Sequence, residues 1–133
     1  MSLAFSVSDV IPAPPRAIYD AWLDSKGHAG MTGGKPATCS ADVGGTFTVW
    51  NGYIIGRNLA LEPGKRIVQS WRTKRFTAAD PDSEIEVLLE PVGNGTRVTV
   101  NHRNVPDGRI SYRDGGWQRS YFEPMKTYFA AQS

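Results

Sequence analysis

Apolar and polar positions alternate with a period of two through most of the interior of the chain, and turn dipeptides separate the alternating runs. This is the mark of consecutive antiparallel hairpins rather than of crossover units. Asn51-Gly52 supplies the two positive-φ positions of a type I′ turn between Thr46–Trp50 and Tyr53–Leu61. Glu62-Pro63-Gly64-Lys65 has the proline and glycine that a type II turn demands. Asp80-Pro81-Asp82-Ser83 closes a longer loop, and Gly93-Asn94-Gly95 closes the last hairpin. The strands expected between the turns are Phe5–Val10, a short one near Thr38–Ala41, Thr46–Trp50, Tyr53–Leu61, Arg66–Arg75, Glu84–Glu90 and Thr96–Arg103.

Helical spacing replaces alternation in two places. After Pro14-Pro15, Ile18, Ala21 and Trp22 recur on one helical face, and a second, weaker turn follows Ser25. Near the C-terminus Trp117, Tyr121, Met125 and Tyr128 fall at i, i+4, i+8 and i+11, with Phe122 and Phe129 widening the stripe. Ser111 with Asp114 resembles a capping box for that helix, Gly115-Gly116 weakens its opening, and Pro124 should bend it. The order predicts an α+β fold in one domain over 1–133: a curved antiparallel sheet of about six to seven strands wrapped around a long C-terminal helix, with two short helices after the first strand. Such a wrap leaves a cleft.

Alternation separates the faces. Ile67, Gln69, Trp71 and Thr73 share the inner face with Ile85, Val87, Leu89, Val98, Val100 and His102. Gln69 and His102 are the polar exceptions, and a buried polar group without a partner costs about 1–3 kcal/mol, so something must satisfy them. Water or a backbone carbonyl would serve; so would a bound small molecule. On the outer face, Arg72 and Lys74 are expected opposite Glu86 and Glu84, with Arg97 and Arg103 opposite Glu90 and Glu84. That ladder neutralises the basic cluster around Arg66 and Lys74.

Composition narrows the function. With 15 basic and 13 acidic residues the net charge is only +2, too weak for a nucleic-acid binder. No apolar run approaches membrane-spanning length, and Met1–Ile11 lacks the pattern of a signal peptide. The single cysteine, Cys39, fits a reducing cytoplasm and reads as a small core residue. The only histidines, His28 and His102, fall on different elements with no nucleophile or carboxylate at a recognisable spacing, and neither zinc spacing nor a phosphate-cradling loop occurs. No cofactor or metal is expected.

Four blocks carry a resemblance. Ala13-Pro14-Pro15 leading to Ala21-Trp22, then Asp42 to Phe47, then Glu62 to Val68 with Trp71-Arg72, and finally Gly116 to Glu123 together resemble the activator of heat-shock protein 90 ATPase family, within the SRPBCC or START-like superfamily. The resemblance spans nearly the whole chain and implies a helix-grip fold. It also implies a chaperone partner, although the eukaryotic co-chaperone resembles this chain only through its C-terminal domain, and nothing here matches the asparagine- and tryptophan-rich motif of its N-terminal domain. The wider superfamily includes binders of lipids, hormones and polyketides and a few cyclases.

The reading that follows is a non-enzymatic, cytoplasmic binding module, monomeric or homodimeric. It takes a small apolar or amphipathic ligand between sheet and C-terminal helix. Phe47, Trp71, Trp117 and Tyr121 are its expected walls, with Gln69 and His102 as polar anchors. The alternatives are a chaperone-associated stress-response protein that binds heat-shock protein 90, and a cyclase-like or hydrolytic enzyme using His102.

Overall fold

A computed structural model describes residues 2–106 and 115–131. Strand β1 (Ser2–Ile11) leads into helices α1 (Pro15–Trp22) and α2 (Ser25–Met31), followed by β2 (Thr46–Val49), β3 (Ile54–Glu62), β4 (Arg66–Thr73), β5 (Ser83–Val92) and β6 (Gly95–Pro106). A π-helical turn, Gln118–Phe122, then runs into α3 (Glu123–Ala130). The proposed cap at Ser111 and Asp114 lies outside the described residues.

Helix α1 begins at Pro15, whose missing N–H would be unsatisfied at that position anyway, and buries Ile18, Tyr19 and Trp22. Asp24 caps α2 by accepting from the Gly27 N–H at 2.8 Å. The strands form one antiparallel sheet in the order β1-β6-β5-β4-β3-β2. Its inner face is the expected one, since Ile67, Gln69, Trp71, Thr73, Ile85, Val87, Leu89, Val98, Val100 and His102 are all buried. The C-terminal helix answers them with Trp117, Tyr121, Phe122, Met125 and Phe129, also buried. Asp9 on β1 anchors that helix through Lys126 Nζ at 2.6 Å and Gln118 Nε2 at 2.8 Å.

Three local expectations change. The Asn51-Gly52 turn is present, with Tyr53 N–H donating to Trp50 O at 3.1 Å, but Trp50 also takes a positive φ of 55°. The ladder therefore stops at the Val49–Ile54 pair, and the Trp50 ring is turned toward the helix. The segment Thr38–Ala41 contributes one bridge, Thr38 to Thr48, because the Asn58 side chain holds the carbonyls of Ser40 and Asp42 away from the β2 ladder.

The third correction concerns the charge ladder. Glu84–Arg103 and Glu90–Arg97 are opposed as expected, but β4 meets β5 four residues out of the anticipated register, with Val68 opposite Glu86 and Ser70 opposite Glu84. Arg66 takes Glu86 at 2.6 Å, while Arg72 turns to Asp82 and to the carbonyls of Asp80 and Thr77. Arg72 thus pins the β4–β5 loop, and the shorter ladder lets Ser83 reach the buried Trp71 carbonyl at 2.6 Å.

Gly56 marks where β3 comes too close to its neighbours for a side chain. A Cβ there would lie 2.0 Å from the Ser70 carbonyl oxygen and 2.5 Å from the Phe47 ring. Backbone cannot give way as a flexible side chain would, so Gly56→Ala is expected to cost about 3 kcal/mol. Gly33→Ala is the control: Gly33 has φ +80° but open space around it, and only the backbone cost of about 1 kcal/mol applies. Equal denaturation midpoints for the two variants would contradict this account of β3.

Candidate functional site

The row of side chains crossing the sheet through Asn58, Gln69, Ile85, His102 and Phe5 is set by register, since each is the direct neighbour of the next. This explains what satisfies Gln69. Its Oε1 accepts from Trp22 Nε1–H at 3.0 Å, and its Nε2 donates to Asn58 Oδ1 at 2.9 Å. Asn58 in turn donates to the carbonyls of Ser40 and Asp42 at 2.8 and 3.0 Å. The chain of bonds runs from α1 through the sheet to the loop before β2. The expected opening for a ligand at Gln69 is filled by protein.

His102 is likewise engaged. Trp117 Nε1–H is only a donor, so His102 Nδ1 accepts from it at 3.2 Å and the ring proton sits on Nε2. That proton goes to Ser83 Oγ at 2.9 Å, and the Ser83 hydroxyl donates to the Trp71 carbonyl. The other histidine has the opposite tautomer. His28 Nδ1–H donates to the Trp22 carbonyl at 2.8 Å, and Nε2 accepts from the Tyr121 hydroxyl at 2.9 Å. Burial depresses both imidazoles, to about 4 for His28 and about 3 for His102, so both are neutral near pH 7. Burial also raises the Tyr121 phenol well above its usual value. The Cys39 thiol, pushed up to about 11 chiefly by burial, stays protonated.

The gap anticipated between sheet and helix is occupied by rings. Trp71 and Trp117 have centroids 5.2 Å apart, Trp117 and Tyr121 4.9 Å, and Trp22 stacks on Tyr121 at 5.1 Å. Phe47 packs behind Trp71 at 5.7 Å. At these separations the aromatic faces are in contact. The cleft is closed along its length.

Among the described residues, a cleft of about 240 Å³ opens at one end, between the β2–β3 loop and the start of the C-terminal helix. Trp50, Tyr53 and Ile54 form one side, Trp71, Trp117 and Tyr121 the floor, and Gly116, Arg119 and Ser120 the other side. Of the expected site residues, Trp71, Trp117 and Tyr121 border this space, whereas Phe47, Gln69 and His102 lie behind it, tied to protein groups. Sequence reasoning missed Trp50, Tyr53, Ile54, Arg119 and Ser120. The Asn51-Gly52 turn beside two aromatics was the available signal.

The π-helical turn shapes this opening. Pro124 has no N–H, and the chain responds with a widened turn in which the Glu123 N–H reaches Gln118 O, five residues back. Pro124 then sits in the first turn of α3, where a proline is tolerated. The widening brings Arg119, Ser120 and Tyr121 together onto the cleft. The Trp50 Nε1–H is buried and faces the Tyr121 hydroxyl, favouring its phenolate though short of hydrogen-bond geometry, and has no other partner among the described residues.

Among the described residues no group of three or more His, Cys, Asp or Glu side chains could hold a metal ion, and no helix is long and apolar enough to cross a membrane.

The family model described as activator of Hsp90 ATPase homolog 1-like protein matches residues 12–130. The human activator of 90 kDa heat shock protein ATPase homolog 1 is 33% identical over 94 residues, covering 71% of this chain and 28% of that protein. The Dictyostelium discoideum homolog is 26% identical over 120 residues, covering 90% and 31%. The chain thus spans about a third of the length of the curated relatives it matches. Among solved structures, an HSP90 activator from Plasmodium falciparum superposes with TM-score 0.86 at 21% identity, covering 96% of each chain, and the Aha1 dimer from Colwellia psychrerythraea with TM-score 0.72 at 22% identity, covering 87% and 88%. These two likenesses bear on the fold alone.

Proposed function

Because this chain belongs to the activator of Hsp90 ATPase homolog 1-like family, we propose that it is a docking module for a 90 kDa heat-shock chaperone, with no catalysis of its own. The observation that carries this reading is the filled interior. A fold whose sheet and helix are locked together by Trp71, Trp117, Tyr121 and Trp22 has its outer surface left for recognition. An acid–base role for His102 has little support, because the ring is buried and neutral and both of its nitrogens are committed. The module acts as one domain in a reducing cytoplasm, as a monomer or a homodimer; a related Aha1 forms a dimer.

Calorimetric titration of the chain into the cognate 90 kDa chaperone, paired with a coupled ATPase assay, tests this. A saturable complex is expected, with or without a change in turnover. Absence of both binding and any effect on ATP hydrolysis removes the reading.

A second reading is favoured by the cleft at the mouth: a small, largely apolar ligand would fit against its aromatic floor.

A further inference from the structure

Resting on that second reading, we infer that the mouth cleft takes a planar aromatic anion of one or two rings, its ring against Trp71 and Trp117 and its charged end held by the Arg119 guanidinium.

Size sets the first limit. An apolar cavity of about 150 Å³ accommodates benzene, and drug-sized ligands need about 300 Å³ or more. The 240 Å³ here falls between them.

Shape sets the second. Trp71 and Trp117 are tilted by 38°, Trp117 and Tyr121 by 40°, and Trp50 meets Tyr121 nearly edge-on at 62°. Such a floor offers a flat molecule stacked and edge contacts together, the two arrangements that aromatic quadrupoles favour.

Polarity decides the charge. Trp50 Nε1–H is buried and faces the Tyr121 hydroxyl, so it is not open to a ligand. The neighbouring Tyr121 hydroxyl already donates to His28. Arg119 stands on the rim with no ion pair among the described residues, and its guanidinium crosses the space where a Cβ on Gly115 would lie, 2.5 Å from Nη1. A guanidinium is a donor only, and no carboxylate of the described residues lines the cleft. The Tyr53 and Ser120 hydroxyls can serve either way. A site that offers a guanidinium beside an aromatic floor is complementary to a flat acceptor bearing negative charge.

The test follows the indole N–H signals in ¹H–¹⁵N spectra while 2-naphthoate and its uncharged counterpart 2-naphthylmethanol are titrated in, with Trp50→Phe assigning the Trp50 signal. Naphthoate is expected to move the Trp50 and Trp117 signals and to bind about tenfold more tightly than the alcohol, as a charge-assisted hydrogen bond implies. Arg119→Gln, an exposed change, should bring naphthoate to the affinity of the alcohol. Equal affinities for both probes, or no effect of Arg119→Gln, would overturn the anion inference and leave the apolar-ligand reading standing. If neither probe moves any indole signal at millimolar concentration, the ligand reading itself fails.

Discussion

Trp22→Ala is expected to lower the unfolding free energy by about 5 kcal/mol, a large share of the roughly 5–15 kcal/mol that holds a domain together. Trp22 is fully buried and stacks on Tyr121 at 5.1 Å and Trp117 at 6.4 Å. Removing a buried tryptophan side chain costs about 3–5 kcal/mol through lost transfer energy and the remaining cavity. The substitution also strips Gln69 Oε1 of its donor, and an orphaned buried acceptor adds about 1–3 kcal/mol. Trp22→Phe separates the contributions, because it keeps a ring while deleting the N–H, and about 2 kcal/mol is expected for it. Urea unfolding monitored by circular dichroism reads both. A loss below about 2 kcal/mol for Trp22→Ala would mean that α1 is not wedged between sheet and C-terminal helix in the way these contacts require.

Acid is the second strong lever. His28 and His102 have folded values near 4 and 3, each lowered by burial from 6.5. The unfolded chain therefore takes up two protons that the native state refuses, and stability is fully present above about pH 6.5 and falls below it. Each histidine contributes about 1.4 kcal/mol per pH unit, so the loss by pH 4.5 is on the order of 5 kcal/mol. Protonation of His28 also removes the Nε2 acceptor that receives the Tyr121 hydroxyl. Carboxylates such as Glu86, held down by hydrogen bonds from Asn101 and Arg66, add their loss only as the pH falls below the ordinary carboxylate value of 4.5. The window between pH 6.5 and 5 thus belongs to the histidines. Chemical denaturation at intervals across it should show a steady decline; constant stability from pH 7.5 to 5 would show that the two rings are protonated in place without strain.

Each prediction involves one of the two inner polar residues that alternation alone singled out. That Gln69 and His102 face inward is legible because strand side chains alternate, and neighbouring Ile67, Trp71, Val98 and Val100 mark the apolar side. What satisfies them is not legible. Gln69 meets Asn58 across β3 and Trp22 from α1, and His102 meets Ser83 across β5 and Trp117 from the helix; these partners are 11, 47, 19 and 15 residues away. Only register and helix placement bring them together, and the β4–β5 register anticipated from charges was itself four residues off. Surface charge pairs are worth a few tenths to 1 kcal/mol, too little to set a register against buried contacts such as Ser83 on the Trp71 carbonyl.

The cleft teaches the same lesson. The aromatic stripe Trp117, Tyr121 and Phe122 was evident from helical spacing, and so was the wrap of sheet around helix. Whether those rings leave a cavity depends on tilts and separations of an ångström or so, which no spacing encodes. Trp50 reached the site through a positive φ beside an ordinary hairpin turn, and Arg119 through a π turn provoked by Pro124.

Local periodicity, turn chemistry and the four family-like blocks were therefore sufficient for the fold class, the two faces of the sheet and the family, because each depends on residues close together in the chain or on their order. The pairing of the inner polar groups, the closing of the central gap and the position of the remaining opening were decided by tertiary structure. They arise from contacts between distant segments, whose energies are comparable to one another and are resolved only when all segments pack at once.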